Sequence, residues 1–318
     1  METIFTSRYY KLNRLFLSIV GIWPYDDPRD SLIRKIRTYI ALTITILSQI
    51  FALIKSDLSL QTISTIFSFL VPSLCLFISY YSTSSHSKMK IMIEHMNYDW
   101  CHLISDKERR IMEKYASLTR IYTIISIDFC HAYGLLDITG NMLKHAFDTR
   151  NYNECTEKDI ENITMRIIRC VLCHTRTIRF IDNINSTFKT SIIIHLILGF
   201  MMILIAFFQV FSVEDISKNK REFLTALFYM ITIILWLSLF SYIGQMLLNK
   251  SAEILNNAYN SMWYLAPYKM QQLLLIIMIR CDKLSALIIG QTFVTSLELT
   301  TSILQNAISY AMVIRSIR

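Results

Sequence analysis

Apolar residues in this chain gather into blocks about as long as a bilayer is thick. Crossing roughly 30 Å of hydrocarbon takes about 20 helical residues. The blocks fall at 39–54, 58–81, 116–142, 191–213, 223–248 and 288–314. The apolar runs at 191–213 and 223–248 are the clearest, as expected of helices that satisfy their own backbone in lipid. The pattern predicts an all-α, polytopic helical membrane protein in a single domain of 318 residues. Composition agrees: 53% of residues are hydrophobic and 18% charged. A soluble domain carries about 25% charged residues. The net charge of +8 does not indicate nucleic-acid binding, because the basic residues lie between apolar blocks and form no separate basic domain.

Basic residues set the expected orientation, since Lys and Arg concentrate in cytosolic segments. Residues 1–38 hold seven, from Arg8 to Arg37, and are expected in the cytosol without a cleaved leader. The first loop has only Lys55. The second, 82–114, has six basic residues and the third, 144–189, has eight. Both loops therefore belong inside, which a single crossing by 116–142 forbids. That block is also the weakest, with Arg120, Asp128, His131 and Asp137 inside it. It either enters and returns, or lacks part of a second crossing. Residues 249–287 include a run, Leu273–Ile279, too short to span, and are expected to form a helix packed at the membrane surface or between subunits.

The motifs argue against an enzyme. There is no phosphate-binding glycine loop, no G-x-S-x-G and no H-E-x-x-H. Cys170-Val-Leu-Cys173-His174 matches a haem-attachment pattern but lies in a segment expected in the cytosol, and no second pair completes a zinc site. Neither cofactor nor metal is expected. Seven irregularly spaced cysteines give no disulfide framework, and sequons at Asn162, Asn185 and Asn249 fall in loops expected inside.

Two groups of residues could carry binding or transport. Glu298 lies in the last block among Thr292, Ser296, Thr300, Thr301, Ser302, Gln305 and Ser309. An acid at such a position faces water or a partner. The helix could line a pore, or lie buried with its hydroxyls bonded back to its own backbone. Phe67 and Phe69 in the second block, and Phe228, Tyr229 and Trp236 in the fifth, could line an apolar pocket or serve as packing.

The carboxy-terminal third resembles the insect odorant receptors at Gly244, Ser251, Ala258-Tyr259, Trp263, Lys269, Arg280, Gly290, Phe293 and Ser309-Tyr-Ala-Met-Val-Ile314. Asn13-Arg-Leu15 with Gly21-Ile-Trp-Pro24 is similar to the family's amino-terminal segment, and Cys130-His-Ala-Tyr-Gly-Leu135 to its fourth helix. The resemblance implies a seven-helix subunit of an odorant-gated cation channel in the plasma membrane of olfactory neurons. Its N-terminus would be cytosolic, and it would assemble as a heterotetramer with a shared co-receptor. A small volatile would bind among the outer halves of the helices, which makes Phe67, Phe69, Tyr133, Phe228 and Tyr229 the ligand-binding candidates. The last helix would line the pore, with Glu298, the apolar Val313 and the polar Ser316 facing it. The chain departs from the family where Ile121–Ile127 looks like the start of the third helix and Asp128–Phe147 already like the fourth. A shortened, non-functional product is the alternative this departure raises. A G-protein-coupled receptor would need a proline in the last helix, and a transporter would need broken repeats. The only prolines are Pro24, Pro28, Pro72 and Pro267.

Overall fold

The computed structural model describes residues 4–56, 59–84, 86–122, 127–146, 157–213, 219–266, 268–289 and 293–317. The helices are α1 (Lys11–Ile19), α2 (Pro28–Lys55), α3 (Leu60–Thr83), α4 (His86–Cys101), α5 (Asp106–Tyr122), α6 (Ile127–Lys144), α7 (Glu157–Phe211), α8 (Lys220–Tyr259), α9 (Tyr268–Asp282) and α10 (Leu297–Ile317). A two-residue antiparallel ladder, β1 (Ile288–Ile289) with β2 (Phe293–Val294), precedes α10. The last helix therefore starts at Leu297, and 288–289 and 293–294 are extended, where the sequence suggested one helical block over 288–314.

Local chemistry fixes several boundaries. Asp27 caps α2 by accepting a hydrogen bond from the Arg29 amide at 2.8 Å, and Pro28 occupies the first helical position, where its missing N–H costs nothing. Ser59 caps α3 by accepting from the Thr62 amide. Pro72 sits inside α3, as membrane helices tolerate. Before α2 the chain turns at Gly21, whose φ of 76° suits glycine and whose Cα stands so near Ser31 that a Cβ would lie 2.6 Å from the Ser31 carbonyl oxygen.

Four helices among the described residues are long and apolar enough to cross a membrane: α2, α3 (from Thr62), α7 and α8. α7 has 55 residues, about 80 Å of helix, and α8 has 40. Each is far longer than a bilayer needs. The region 157–190, read from sequence as part of a loop, is continuous with the apolar block after it.

Contacts divide the chain into two compact units. One contains 1–17, 90–186 and 245–287. Its helices α5 and α6 run antiparallel: the Tyr115 hydroxyl donates to Asp137 Oδ2 at 3.1 Å, and Lys107 Nζ stands 2.9 Å from His145 Nε2. The sequence block 116–142 is thus divided between two helices, and the chain returns the way it came. The amino-terminal part of α7 packs into this unit through Ile163, Ile167, Cys170, His174, Thr177, Ile181 and Ile184, all buried. Their alternating spacing of four and three keeps them on one helix face.

The second unit contains 18–89, 187–244 and 288–318. Its core joins α3, α7, α8 and α10 through Val71, Cys75, Ile203, Phe207, Leu237 and Ala307, among others. Gly244 of α8 lies against the segment entering α10, where an added Cβ would come within 2.4 Å of the Thr295 carbonyl oxygen.

Candidate ligand pocket and pore-facing helix

The second unit's core contains two of the aromatic candidates. Phe67 of α3 and Tyr229 of α8 both pack against it. Beside them lies a short polar chain: Gln209 Nε2 donates to Ser68 Oγ at 2.8 Å, and Ser68 Oγ donates to the Ser64 carbonyl at 2.9 Å. The Tyr229 hydroxyl is buried beside Ser68 and makes no well-formed hydrogen bond among the described residues. A buried polar group without a partner is costly, so such groups stand out in a native fold. Here the group is a phenol in an apolar surround next to a serine and a glutamine, the kind of lining that holds a small, mostly apolar molecule by one polar contact.

The other aromatic candidates do not join this cluster. Phe69 is 64% exposed and Phe228 is 74% exposed. Positions two apart on a helix point to different faces, so Phe67 and Phe69 cannot both face the core. Phe228 instead borders an open cavity of about 730 Å³ with Arg221, Leu224 and Ile231. Trp236 lies parallel to Phe240, with ring centroids 6.4 Å apart. Tyr133 belongs to the first unit, where it is buried beside Tyr115.

On α10, Thr300, Ala307 and Ala311 are buried, and Ile303, Leu304 and Ile308 pack against the core. The opposite side carries Glu298, Ser302, Gln305 and Ser309, all exposed, at spacings of four, three and four. Val313, near the end of the helix, is 54% exposed. The side chain of Ser316 and residue Gly290 lie outside the described residues. Ser302 and Ser309 donate to the carbonyls of Glu298 and Gln305, and Thr301 to that of Leu297. The hydroxyls are thus bonded back to their own helix, but they lie on the open side of the chain and not between helices.

The acidic and histidine residues of the weak block separate. His131 Nε2 pairs with Asp99 Oδ2 at 3.0 Å, and Arg176 Nη1 meets the other carboxylate oxygen at 3.1 Å. Asp137 meets Lys250 at 3.4 Å. Burial works against the Lys250 charge, but the bond to Glu253 and the carboxylate charges of Asp137 and Glu253 more than offset it and hold its pKa above the ordinary lysine value. Sequence reasoning missed Asp99 and Arg176, which join α4 to α7. The alternating spacing along α7 was the available signal for that packing.

The Cys170-x-x-Cys173-His174 motif forms no metal centre: among the described residues no three His, Cys, Asp or Glu side chains are placed to hold an ion. His174 Nε2 lies 3.9 Å from Cys281 Sγ. Burial, and then the charge of Arg280, lower the His174 pKa to about 4, while burial raises the Cys281 thiol to about 11. Both groups are neutral near pH 7.

The family model described as 7tm Odorant receptor matches residues 62–308. The chain belongs to the odorant receptor family. This odorant receptor chain is 22% identical over 164 residues to the odorant receptor coreceptors of Aedes aegypti and Anopheles gambiae. The aligned part is 52% of this chain and 34% of each coreceptor, about a third of their length. In fold it is similar to the insect olfactory receptor OR5 of Machilis hrabei. The structure solved with eugenol gives a TM-score of 0.69 at 11% identity, covering 97% of both chains. The structure described without eugenol gives 0.64 at 12% identity, covering 100% of both. The all-helical, multi-pass membrane architecture read from the hydropathy blocks is therefore the architecture of the family.

Proposed function

We propose that this receptor chain is the ligand-binding subunit of an odorant-gated cation channel in the plasma membrane of olfactory neurons, working in a heterotetramer with a shared co-receptor. The observation that carries the reading is the side of α10 that bears Glu298, Ser302, Gln305 and Ser309. A carboxylate and several hydroxyls facing lipid would be costly, so this side calls for a water-filled path or a neighbouring subunit. The opposite side of the same helix is already committed to the core. Four copies of α10 around an axis would place the polar stripe at the centre, with Val313 as an apolar constriction and Ser316 about one turn beyond. The coreceptor likeness supports a partner of the same fold.

The antiparallel α5–α6 pair supports a cytosolic position for both basic loops, 82–114 and 144–189, together with the N-terminus. A small volatile would sit in the second unit's cluster with its polar group at the Tyr229 hydroxyl and its apolar body against Phe67. The two helices joined near Ile127 are short for the family's third and fourth, so weakened odorant responses are expected. The reading is tested by current through channels co-expressed with a co-receptor. Val313→Ser should raise basal leak, because an apolar ring closes a pore by excluding water. Glu298→Gln should reduce cation preference. Unchanged leak and unchanged selectivity in both variants would remove α10 from the pore.

A further inference from the structure

In the first unit, α5, the carboxy-terminal end of α6 and α7 border an open cavity of about 430 Å³. Lys107, His145, Arg166 and Arg169 line it, with Glu108 as its acidic member. Glu108 is already committed. It belongs to a capping box, Ser105-Asp-Lys-Glu108, in which the Glu108 amide donates to Ser105 Oγ at 3.2 Å. Its carboxylate accepts from the Ile104 amide at 3.0 Å and from Arg169 Nη2 at 2.7 Å. That leaves Lys107 and Arg166 facing the cavity with no acidic partner among the described residues. Lys107 Nζ donates to His145 Nε2 at 2.9 Å, which keeps the ammonium at the cavity without neutralising its charge. Ile138 and Met142 supply apolar lining, and Ser105 and Asn141 neutral polar groups.

We infer that this cavity is a binding site for a multiply charged phosphate ester, held by Lys107, Arg166 and His145. Basic groups of α5 and α7, with His145 just past the end of α6, meet at one concavity whose single acid is neutralised in place. Arginine forks and lysine point charges are the usual holders of phosphate. The volume falls within the roughly 300–1,000 Å³ of small-molecule sites, so it fits a phosphorylated headgroup better than a bare ion. Two sources offer that chemistry, an anionic lipid of the inner leaflet and a soluble phosphate ester. Basic pockets at the cytosolic side of membrane helices favour the lipid. The site stands whether or not the chain senses odorants. Only its cytosolic placement rests on that reading.

The test uses the full chain in phosphatidylcholine nanodiscs, with and without phosphatidylinositol 4,5-bisphosphate, alongside soluble inositol trisphosphate. Lipid retention is read by native mass spectrometry and the soluble ester by direct titration. Lys107→Ala with Arg166→Ala should weaken binding at least tenfold, Arg166→Lys by less than threefold, and Arg221→Ala not at all. Retention of the lipid with little affinity for the soluble ester identifies a membrane source, and equal binding of both identifies a soluble one. In the wild-type chain the bound ligand should also protect Lys107 from amine acylation, a readout that needs no variant. Binding of neither probe, or equal losses in the double variant and in Arg221→Ala, would overturn the assignment, as would unprotected Lys107 at saturation.

Discussion

His131 Nε2 stands 3.0 Å from Asp99 Oδ2 with both side chains sealed from solvent, and the edge of Phe180 lies against the imidazole. Arg176 takes the second carboxylate oxygen. The carboxylate therefore ties α4 to both α6 and α7. Removing it leaves a buried imidazole and a half-buried guanidinium without their partner. Asp99→Ala should cost about 3–5 kcal/mol, as for other buried pairs broken from one side. Thermal unfolding of the purified protein followed by tryptophan fluorescence would show it, since Trp100 is the next residue. A melting temperature within 1 °C of wild type would contradict the role given to Asp99.

Stability should fall on acidification through His174. This residue lies in the part of α7 outside the apolar block. Burial, and then Arg280, lower its pKa from 6.5 to about 4 in the folded chain. Between those values the unfolded chain binds the extra proton and the folded chain does not, so stability rises with pH. The contribution is complete above about pH 6.5 and is lost as pH falls toward 4. His174→Leu should flatten the stability profile across that window while leaving stability at pH 7.5 within about 1 kcal/mol of wild type, because burying a similar apolar side chain costs little. An unchanged slope between pH 6.5 and 4.5 would exclude His174 as its source.

Gly244→Ala should destabilise the chain by about 1–3 kcal/mol, the range for forcing atoms into a packed site. The methyl would meet the Thr295 carbonyl, and backbone cannot swing aside as a side chain can. Cell-surface yield and thermal unfolding would both drop. Wild-type yield and melting would mean that α8 and the entry to α10 separate freely.

Tyr229→Phe separates a binding role from a structural one. Deleting a buried hydroxyl that makes no well-formed hydrogen bond removes a desolvation cost of about 1–3 kcal/mol, and Ser68 keeps its bonds to Gln209 and the Ser64 carbonyl. The variant should be as stable as wild type or more so. Its response to odorants bearing a hydroxyl or carbonyl should fall about tenfold, and that to pure hydrocarbons should not change. Equal losses for both odorant classes would take the hydroxyl out of the pocket.

The membrane helices were legible because their signal is gross: uninterrupted apolar length, as in α3 and α8. The first half of α7 was not, because its basic residues drew attention to charge. The buried positions from Ile163 to Ile184 recur every three or four residues and could have been found by counting. The weak block, 116–142, is divided between α5 and α6. The pairing of Lys107 with His145 shows its physical form, a chain that turns back and does not cross as one helix. The aromatic candidates illustrate a different limit. Adjacent residues such as Phe228 and Tyr229 point about 100° apart on a helix, so composition finds the helix but not the side that faces inward. Asp99 and Arg176 are separated by 77 positions, and no local pattern announces that they meet.

The back-bonded hydroxyls of α10 decide what its open side can offer. Each of Ser302 and Ser309 spends its only proton on a carbonyl of its own helix, which leaves the oxygen lone pairs directed outward. The surface so formed accepts hydrogen bonds and, through these hydroxyls, donates none. Together with the Glu298 carboxylate it can stand in for the water oxygens around a positive ion, and to a negative one this stripe offers only the N–H groups of Gln305.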